Sequence, residues 1–283
     1  MNRGPLISTP ALGARLDDPA LVLVDCRHQL TAPDWGRQEW TAGHIDHAAH
    51  LDLERDLSGP KTGSNGRHPL PAIDALAETL GRLGITTGVD VVAYDQDTGM
   101  FASRLWWLLR WLGHDSVAVL DGGLAKWRGE GRPLSTAVPN RAPREFRPAP
   151  RPQMVASVAD VAAVLGDAHW RLVDARAPER YRGDTEPLDR VAGHIPGAAN
   201  RFYLANLVDG TFKAPAELRT ALAADLGAVP PNQAICYCGS GVTACHNLLA
   251  LEHAGLVGAR LYPGSWSEWC SDAARPIETG GES

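Results

Sequence analysis

Short apolar runs alternate with amphipathic stretches along this chain. In its second half, Ser157 to Leu165 carries helical spacing with Ser157 as the cap, and Trp170 to Asp174 is a short apolar strand. Ala216 to Asp225 is again helical, Ala234 to Tyr237 is an apolar strand, and Cys238-Gly239-Ser240-Gly241 breaks the pattern. A helix is expected from Val242 to about His253 and a last strand over Ala259 to Tyr262. Short apolar strands separated by helices predict an α/β domain built on a mostly parallel sheet flanked by helices. Ligands of such sheets bind beyond the carboxyl ends of strands, and Cys238 stands at one of those ends.

The pattern is written twice. Val24-Asp25-Cys26-Arg27 returns as Val173-Asp174-Ala175-Arg176, and Gly43-His44-Ile45 as Gly193-His194-Ile195. Val91-Val92-Ala93-Tyr94 returns as Ala234-Ile235-Cys236-Tyr237. Asp121-Gly122-Gly123 with Trp127 matches Pro263-Gly264-Ser265 with Trp269. Matches in one order at an offset of about 140–150 residues predict tandem domains rather than a short solenoid repeat. Five prolines interleaved with arginines between Pro139 and Pro152 suggest an extended connector. The expected division is a domain over residues 1–138, a Pro/Arg-rich linker over 139–153 and a second domain over 154–283.

Composition narrows the setting. The chain has 283 residues and a formal net charge of −6, which argues against nucleic acid as the main partner. No apolar run approaches the roughly 20 residues that span a bilayer, and Met1-Asn2-Arg3-Gly4-Pro5 leads into no apolar signal core, so the expected location is cytoplasmic. Five cysteines, Cys26, Cys236, Cys238, Cys245 and Cys270, form no evident disulfide framework.

The chemistry concentrates at Cys238. Glycines around a strand-to-helix turn let successive N–H groups point inward, and the following helix adds its positive end. A thiol in such a place can be activated well below its ordinary pKa, and the bowl can hold the anion formed once the sulfur takes a group from a substrate. The plain alternative is a buried structural thiol. In the first copy the turn reads Asp95-Gln96-Asp97-Thr98-Gly99. A carboxylate is no sulfur nucleophile, and Asp97 adds negative charge, so the first domain is expected to be chemically silent.

Gly43-His44-Ile45, Val173-Asp174-Ala175-Arg176, Gly193-His194-Ile195-Pro196-Gly197-Ala198, Cys238-Gly239-Ser240-Gly241-Val242-Thr243 and Gly264-Ser265-Trp266-Ser267-Glu268-Trp269 together resemble two-domain rhodanese-type sulfurtransferases over nearly the whole chain. The resemblance implies two tandem rhodanese-like domains, the first inactive, the second catalytic. It implies that Cys238 takes a sulfur atom from a donor as a persulfide and passes it to a thiol, a thioredoxin-like protein or cyanide. The neutral loop Gly239-Ser240-Gly241 is similar to the branch that uses 3-mercaptopyruvate and releases pyruvate; the alternative is thiosulfate as donor. By the same resemblance Gly239, Gly241, Val242 and Thr243 line the substrate, Arg180 and Arg190 hold its carboxylate and keto oxygen, and Ser240, His68 and Glu54 form a proton relay, with Asp52 as the other candidate carboxylate. Arginine suits planar two-point recognition of a carboxylate. His44 and His194 are expected to be structural, and Cys236 and Cys245 to be packed. No metal or organic cofactor is implied, and no nucleic acid or membrane partner.

Rival classes remain distinguishable. A cysteine phosphatase needs an arginine six residues after the cysteine, and Ala244 stands there. A metal or redox module on Cys236, Cys238, Cys245 and His246 lacks zinc-like spacing. A sulfur carrier without turnover would release no pyruvate.

Overall fold

A computed structural model describes residues 4–281; the outermost residues of the two expected domains, Met1–Arg3, Glu282 and Ser283, lie outside the described residues. The chain divides into two compact units. One runs to Gly59 and adds Leu70–Arg151 and Asp209–Thr211; the other takes Pro60–Pro69, Pro152–Val208 and the chain from Phe212 onward.

In the first unit, strands β1 (Leu6–Ile7), β2 (Leu21–Asp25), β3 (Ala48–His50), β4 (Asp90–Tyr94) and β5 (Val117–Leu120) form one parallel sheet in the order β1-β5-β4-β2-β3. Helices α1 (Thr9–Gly13), α2 (Trp35–Ala42), α3 (Ile73–Arg82) and α4 (Ala102–Trp111) connect the strands, and α5 (Gly123–Gly129) follows the last of them. β2 is buried along its whole length, as a strand covered on both faces must be.

The second unit repeats the plan. Strands β6 (Arg171–Asp174), β7 (Ala199–Asn200), β8 (Ala234–Tyr237) and β9 (Arg260–Leu261) form a parallel sheet in the order β9-β8-β6-β7. The edge occupied by β1 in the first sheet is reduced here to a single bridge, Val155 to Leu261. Helices α6 (Val158–Ala163), α7 (Pro178–Tyr181), α8 (Pro215–Leu226), α9 (Thr243–His253) and α10 (Ser265–Trp269) complete it. Ser157 caps α6 through a reciprocal pair with Asp160. Among the described residues no helix is long and apolar enough to cross a membrane.

The repeated motifs are structural anchors. Asp25 and Arg27 form a buried ion pair at 2.7 Å, and the same guanidinium donates to the Gly43 carbonyl at 2.8 Å. Asp174 and Arg176 pair at 2.6 Å, with the Gly193 carbonyl at 2.7 Å. His44 and His194 each bond a backbone carbonyl through Nδ1, of Trp40 and Tyr181, and both are buried. Trp127 and Trp269 each donate their indole N–H to a proline carbonyl at 2.9 Å. Buried polar groups paired in this way fix the strand–loop geometry twice over.

Two boundaries differ from those read in the sequence. The Pro/Arg stretch does not run free of the first unit: Arg144, Ala149 and Arg151 donate their N–H groups to the carbonyls of Gly81, Leu112 and Trp111, and Phe146 is buried. Proline content predicts an extended backbone but not whether that backbone finds a surface to pair with. Residues 60–69, expected in the first domain, cluster with the second unit instead. Helix ends shift by one to two residues, α8 beginning at Pro215 and α9 at Thr243.

Candidate active site

β8 is buried at all four positions, and Cys238 is the first residue beyond it. The loop after it is tied down from below. Trp266 and Ser267 donate their N–H groups to the carbonyls of Cys238 and Gly239, each at 2.9 Å. The Cys238 N–H donates to Ser265 Oγ at 3.1 Å, and that hydroxyl donates to the Tyr262 carbonyl at 2.9 Å. The Gly241 N–H points at the sulfur, 3.1 Å from Sγ. This needs a left-handed backbone at Gly241 (φ +78°), where a Cβ would lie 2.5 Å from the Pro263 carbonyl oxygen. α9 starts at Thr243, so the first amides of an 11-residue helix, which have no acceptor within it, belong to this turn.

Residues 60–69 lie across the loop as a strap. Gly66 is left-handed (φ +84°), and a Cβ there would lie 2.7 Å from the Gly264 carbonyl oxygen. The Arg67 N–H donates to Ser267 Oγ at 3.0 Å. These contacts deliver His68, whose Nδ1 is 2.7 Å from Ser240 Oγ, with both side chains buried. The direction of that bond follows the imidazole tautomer.

Two guanidinium groups rest on Gly239. A Cβ built there would meet Arg67 Nη2 at 2.8 Å and Arg180 Nη2 at 3.4 Å. Arg180 holds Glu186 at 2.7 and 3.2 Å and Asp189 at 3.3 Å; Arg67 pairs with the other Asp189 oxygen. Arg176 reaches Glu186 at 3.3 Å. Burial pushes the Asp189 carboxyl up despite the two guanidinium groups beside it. Burial also opposes ionisation of Glu186, but Arg180 and the Leu188 and Asp189 amides hold it below the usual range.

The remaining thiols are packed. Burial, with Cys245 and Cys238 as neighbours, pushes Cys236 up to about 12, so it is a neutral thiol at physiological pH. The Cys245 thiol donates to the Gly241 carbonyl at 3.3 Å. Among the described residues no group of three or more His, Cys, Asp or Glu side chains is arranged to hold a metal ion.

Within the second unit the structure therefore brings together Cys238, Gly239, Ser240, Gly241, His68 and Arg180, with Val242 buried and Thr243 opening α9. Arg190 is exposed, one residue beyond the inward Asp189. Glu54 belongs to the first unit, half-buried in the turn after β3. Its neighbour Asp52 is engaged within that unit: it accepts the Glu54 and Arg55 N–H groups at 2.9 Å and lies 3.5 Å from His28. Arg67, Asp189, Ser265 and Ser267 were not among the site residues nominated from the sequence. For Arg67 a signal existed, a glycine-then-cation step directly before the nominated histidine.

The equivalent turn of the first unit is filled by its own side chain. Asp95 Oδ1 accepts the N–H groups of Asp97 and Gly99 at 3.2 and 2.9 Å. Oδ2 accepts those of Phe101 and Ala102 at 2.7 and 3.2 Å. The ring of amides is present, but a carboxylate already satisfies it.

The rhodanese-like domain family matches the chain twice, over residues 8–130 and 157–272. The chain belongs to the rhodanese family. A Pseudomonas aeruginosa protein described as a probable 3-mercaptopyruvate sulfurtransferase is 45% identical over 283 residues, covering 99% of this chain and 100% of the relative. A Mycobacterium tuberculosis protein described as a putative thiosulfate sulfurtransferase is 39% identical, covering 98% of each. The solved structure of the Escherichia coli 3-mercaptopyruvate sulfotransferase SseA superposes with a TM-score of 0.81 at 30% identity, over 93% of this chain and 99% of that one.

Proposed function

We propose that this rhodanese is a 3-mercaptopyruvate sulfurtransferase that works through a persulfide on Cys238. The observation that carries the reading is the Gly241 N–H aimed at the Cys238 sulfur beside two guanidinium groups and the His68–Ser240 pair. The names of the full-length relatives point the same way.

The Cys238 thiolate attacks the sulfur of the donor. The new S–S bond forms as the C–S bond breaks, and pyruvate leaves as its enolate. The donor thiol's proton passes to the enolate carbon through Ser240 and His68. The persulfide rests against the amides of the loop and the start of α9. A thiol, a reduced thioredoxin-like protein or cyanide then takes the outer sulfur and regenerates Cys238. The first unit, with Asp95 in its amide ring, is silent in this scheme. The cytoplasm supplies such reductants and keeps Cys238 reduced.

A thiosulfate donor is the second reading. The paired cations at Gly239 also suit a small dianion, and the mycobacterial relative is described that way. Initial rates with each donor separate the two, with Cys238→Ser as the control. The proposal expects higher kcat/KM with 3-mercaptopyruvate and no turnover in Cys238→Ser. Equal or better use of thiosulfate overturns the donor, and activity in the serine variant overturns the persulfide.

A further inference from the structure

We propose that Arg67, on the strap, receives the donor's carboxylate together with Arg180, and that Asp189 occupies this seat until the donor arrives. The inference rests on the donor being an α-keto acid, as proposed above.

Three observations carry it. First, the Arg67 backbone is fixed on both sides, by the close approach of Gly66 to Gly264 and by the His68–Ser240 bond, so the guanidinium is presented from a rigid base. Its tip lies 2.8 Å from where a Cβ at Gly239, the residue after the nucleophile, would stand. Second, Asp189 places one oxygen on Arg67 and the other on Arg180, which is the two-point arrangement a substrate carboxylate would adopt. Third, the Asp189 side chain is only 4% exposed whereas the Arg67 and Arg180 side chains are 28% and 17% exposed, so an incoming anion can reach the cations.

Exchange of Asp189 for substrate keeps the local charge balanced. Arg180 stays anchored through its paired bonds to Glu186 while Arg67 changes partner. Burial penalises the charged form of Asp189 where it sits, with the carboxyl raised above its ordinary value. The segment from Asp184 to Ala192 has no helix or strand to resist the withdrawal of Asp189.

The test compares 3-mercaptopyruvate with mercaptoacetone, the same α-mercaptoketone without the carboxylate. Pyruvate or acetone release is followed in the wild type, Arg67→Ala, Arg67→Lys and Asp189→Asn. Arg67→Ala should raise KM for mercaptopyruvate roughly ten- to a hundred-fold, the worth of a charge-assisted hydrogen bond. It should also erase most of the wild-type preference for the carboxylate donor. Arg67→Lys should recover part of that preference. Asp189→Asn should lower KM for mercaptopyruvate, the opposite sign. Equal losses with both donors in the two Arg67 variants would mean that the strap only positions His68, and would overturn the assignment. So would an unchanged KM in Arg67→Ala. A wild type that releases no pyruvate from mercaptopyruvate fails the proposed function itself, which distinguishes that failure from failure of Arg67.

Discussion

Replacing Gly241 with alanine should damage both the stability and the chemistry of the loop. At φ +78° an L residue is strained by about 1–2 kcal/mol. The added Cβ would also stand 2.5 Å from the Pro263 carbonyl oxygen and 3.0 Å from its Cα. These are backbone atoms, with no flexible side-chain end to retreat, and overpacking of that kind costs about 1–3 kcal/mol. The sum, about 2–5 kcal/mol, is a large part of the stability of an ordinary domain. Any shift that relieves it carries the Gly241 N–H away from the sulfur it now faces at 3.1 Å. Gly239→Ala is the contrast. Its Cβ would meet only the tips of Arg67 and Arg180, which can move, so the fold should lose less than about 1 kcal/mol. Urea unfolding reads the first effect. Incubation with donor alone, followed by a search for one added sulfur on Cys238 by mass spectrometry, reads the second. The expectation is a lowered midpoint and a poor persulfide yield for Gly241→Ala, and a near-normal midpoint for Gly239→Ala. If Gly241→Ala unfolds like the wild type and forms persulfide at the wild-type rate, neither the left-handed turn nor its amide matters as argued.

Ser240→Ala and His68→Gln should each lower kcat by about 10²–10⁴, with little change in KM, as loss of a proton-transfer group does; steady-state pyruvate release checks this. Asp95→Ala should cost at least about 2 kcal/mol in urea unfolding, because four amides lose their acceptor. Burial works against ionisation of Asp52, but His28 and the Arg55 and Glu54 amides prevail and hold it at about 2, below its ordinary 3.8. Its stabilising contribution is therefore complete above about pH 4 and is lost as the pH falls toward 2. Thermal midpoints of Asp52→Asn should fall less than those of the wild type across that window.

The repeated plan was legible because each copy spells the same physical devices. Asp25 with Arg27, Asp174 with Arg176, and the two Gly-His-Ile steps are spaced as buried pairs and turns demand, and the central strands between them are mostly apolar. Cys238, Gly239, Ser240 and Gly241 were legible for a local reason: contiguous residues at the end of a buried strand share one turn. The strap was not. Residues 60–69 hold few apolar positions, and their grouping with the second unit depends on long-range contacts such as Arg67 with Ser267, which no periodicity announces. The cations were half legible. Residue type nominated Arg180 and Arg190 alike, but only the path of the loop decides that Asp189 turns inward while Arg190 is exposed.

The two strand-end turns make the case that position 238, rather than the loop as a whole, sets the chemistry. Both follow a buried strand ending in tyrosine, and both are held from below by paired backbone bonds: Leu124 and Ala125 to Asp95 and Gln96, Trp266 and Ser267 to Cys238 and Gly239. In each, amides beyond the first residue turn toward that residue's side chain. Where the side chain is a carboxylate, its two oxygens take four N–H groups and the ring is complete without a ligand. A sulfur of one atom's size takes the Gly241 N–H at 3.1 Å, and its larger anion, one sulfur longer, is the species the rest of the ring would fit. Asp95→Ala and Cys238→Ser thus separate two uses of one geometry. The first should weaken the fold while persulfide formation in the surviving protein continues. The second should leave the fold intact and abolish the persulfide. The reverse pattern would mean that the amide rings are scaffolding in both units.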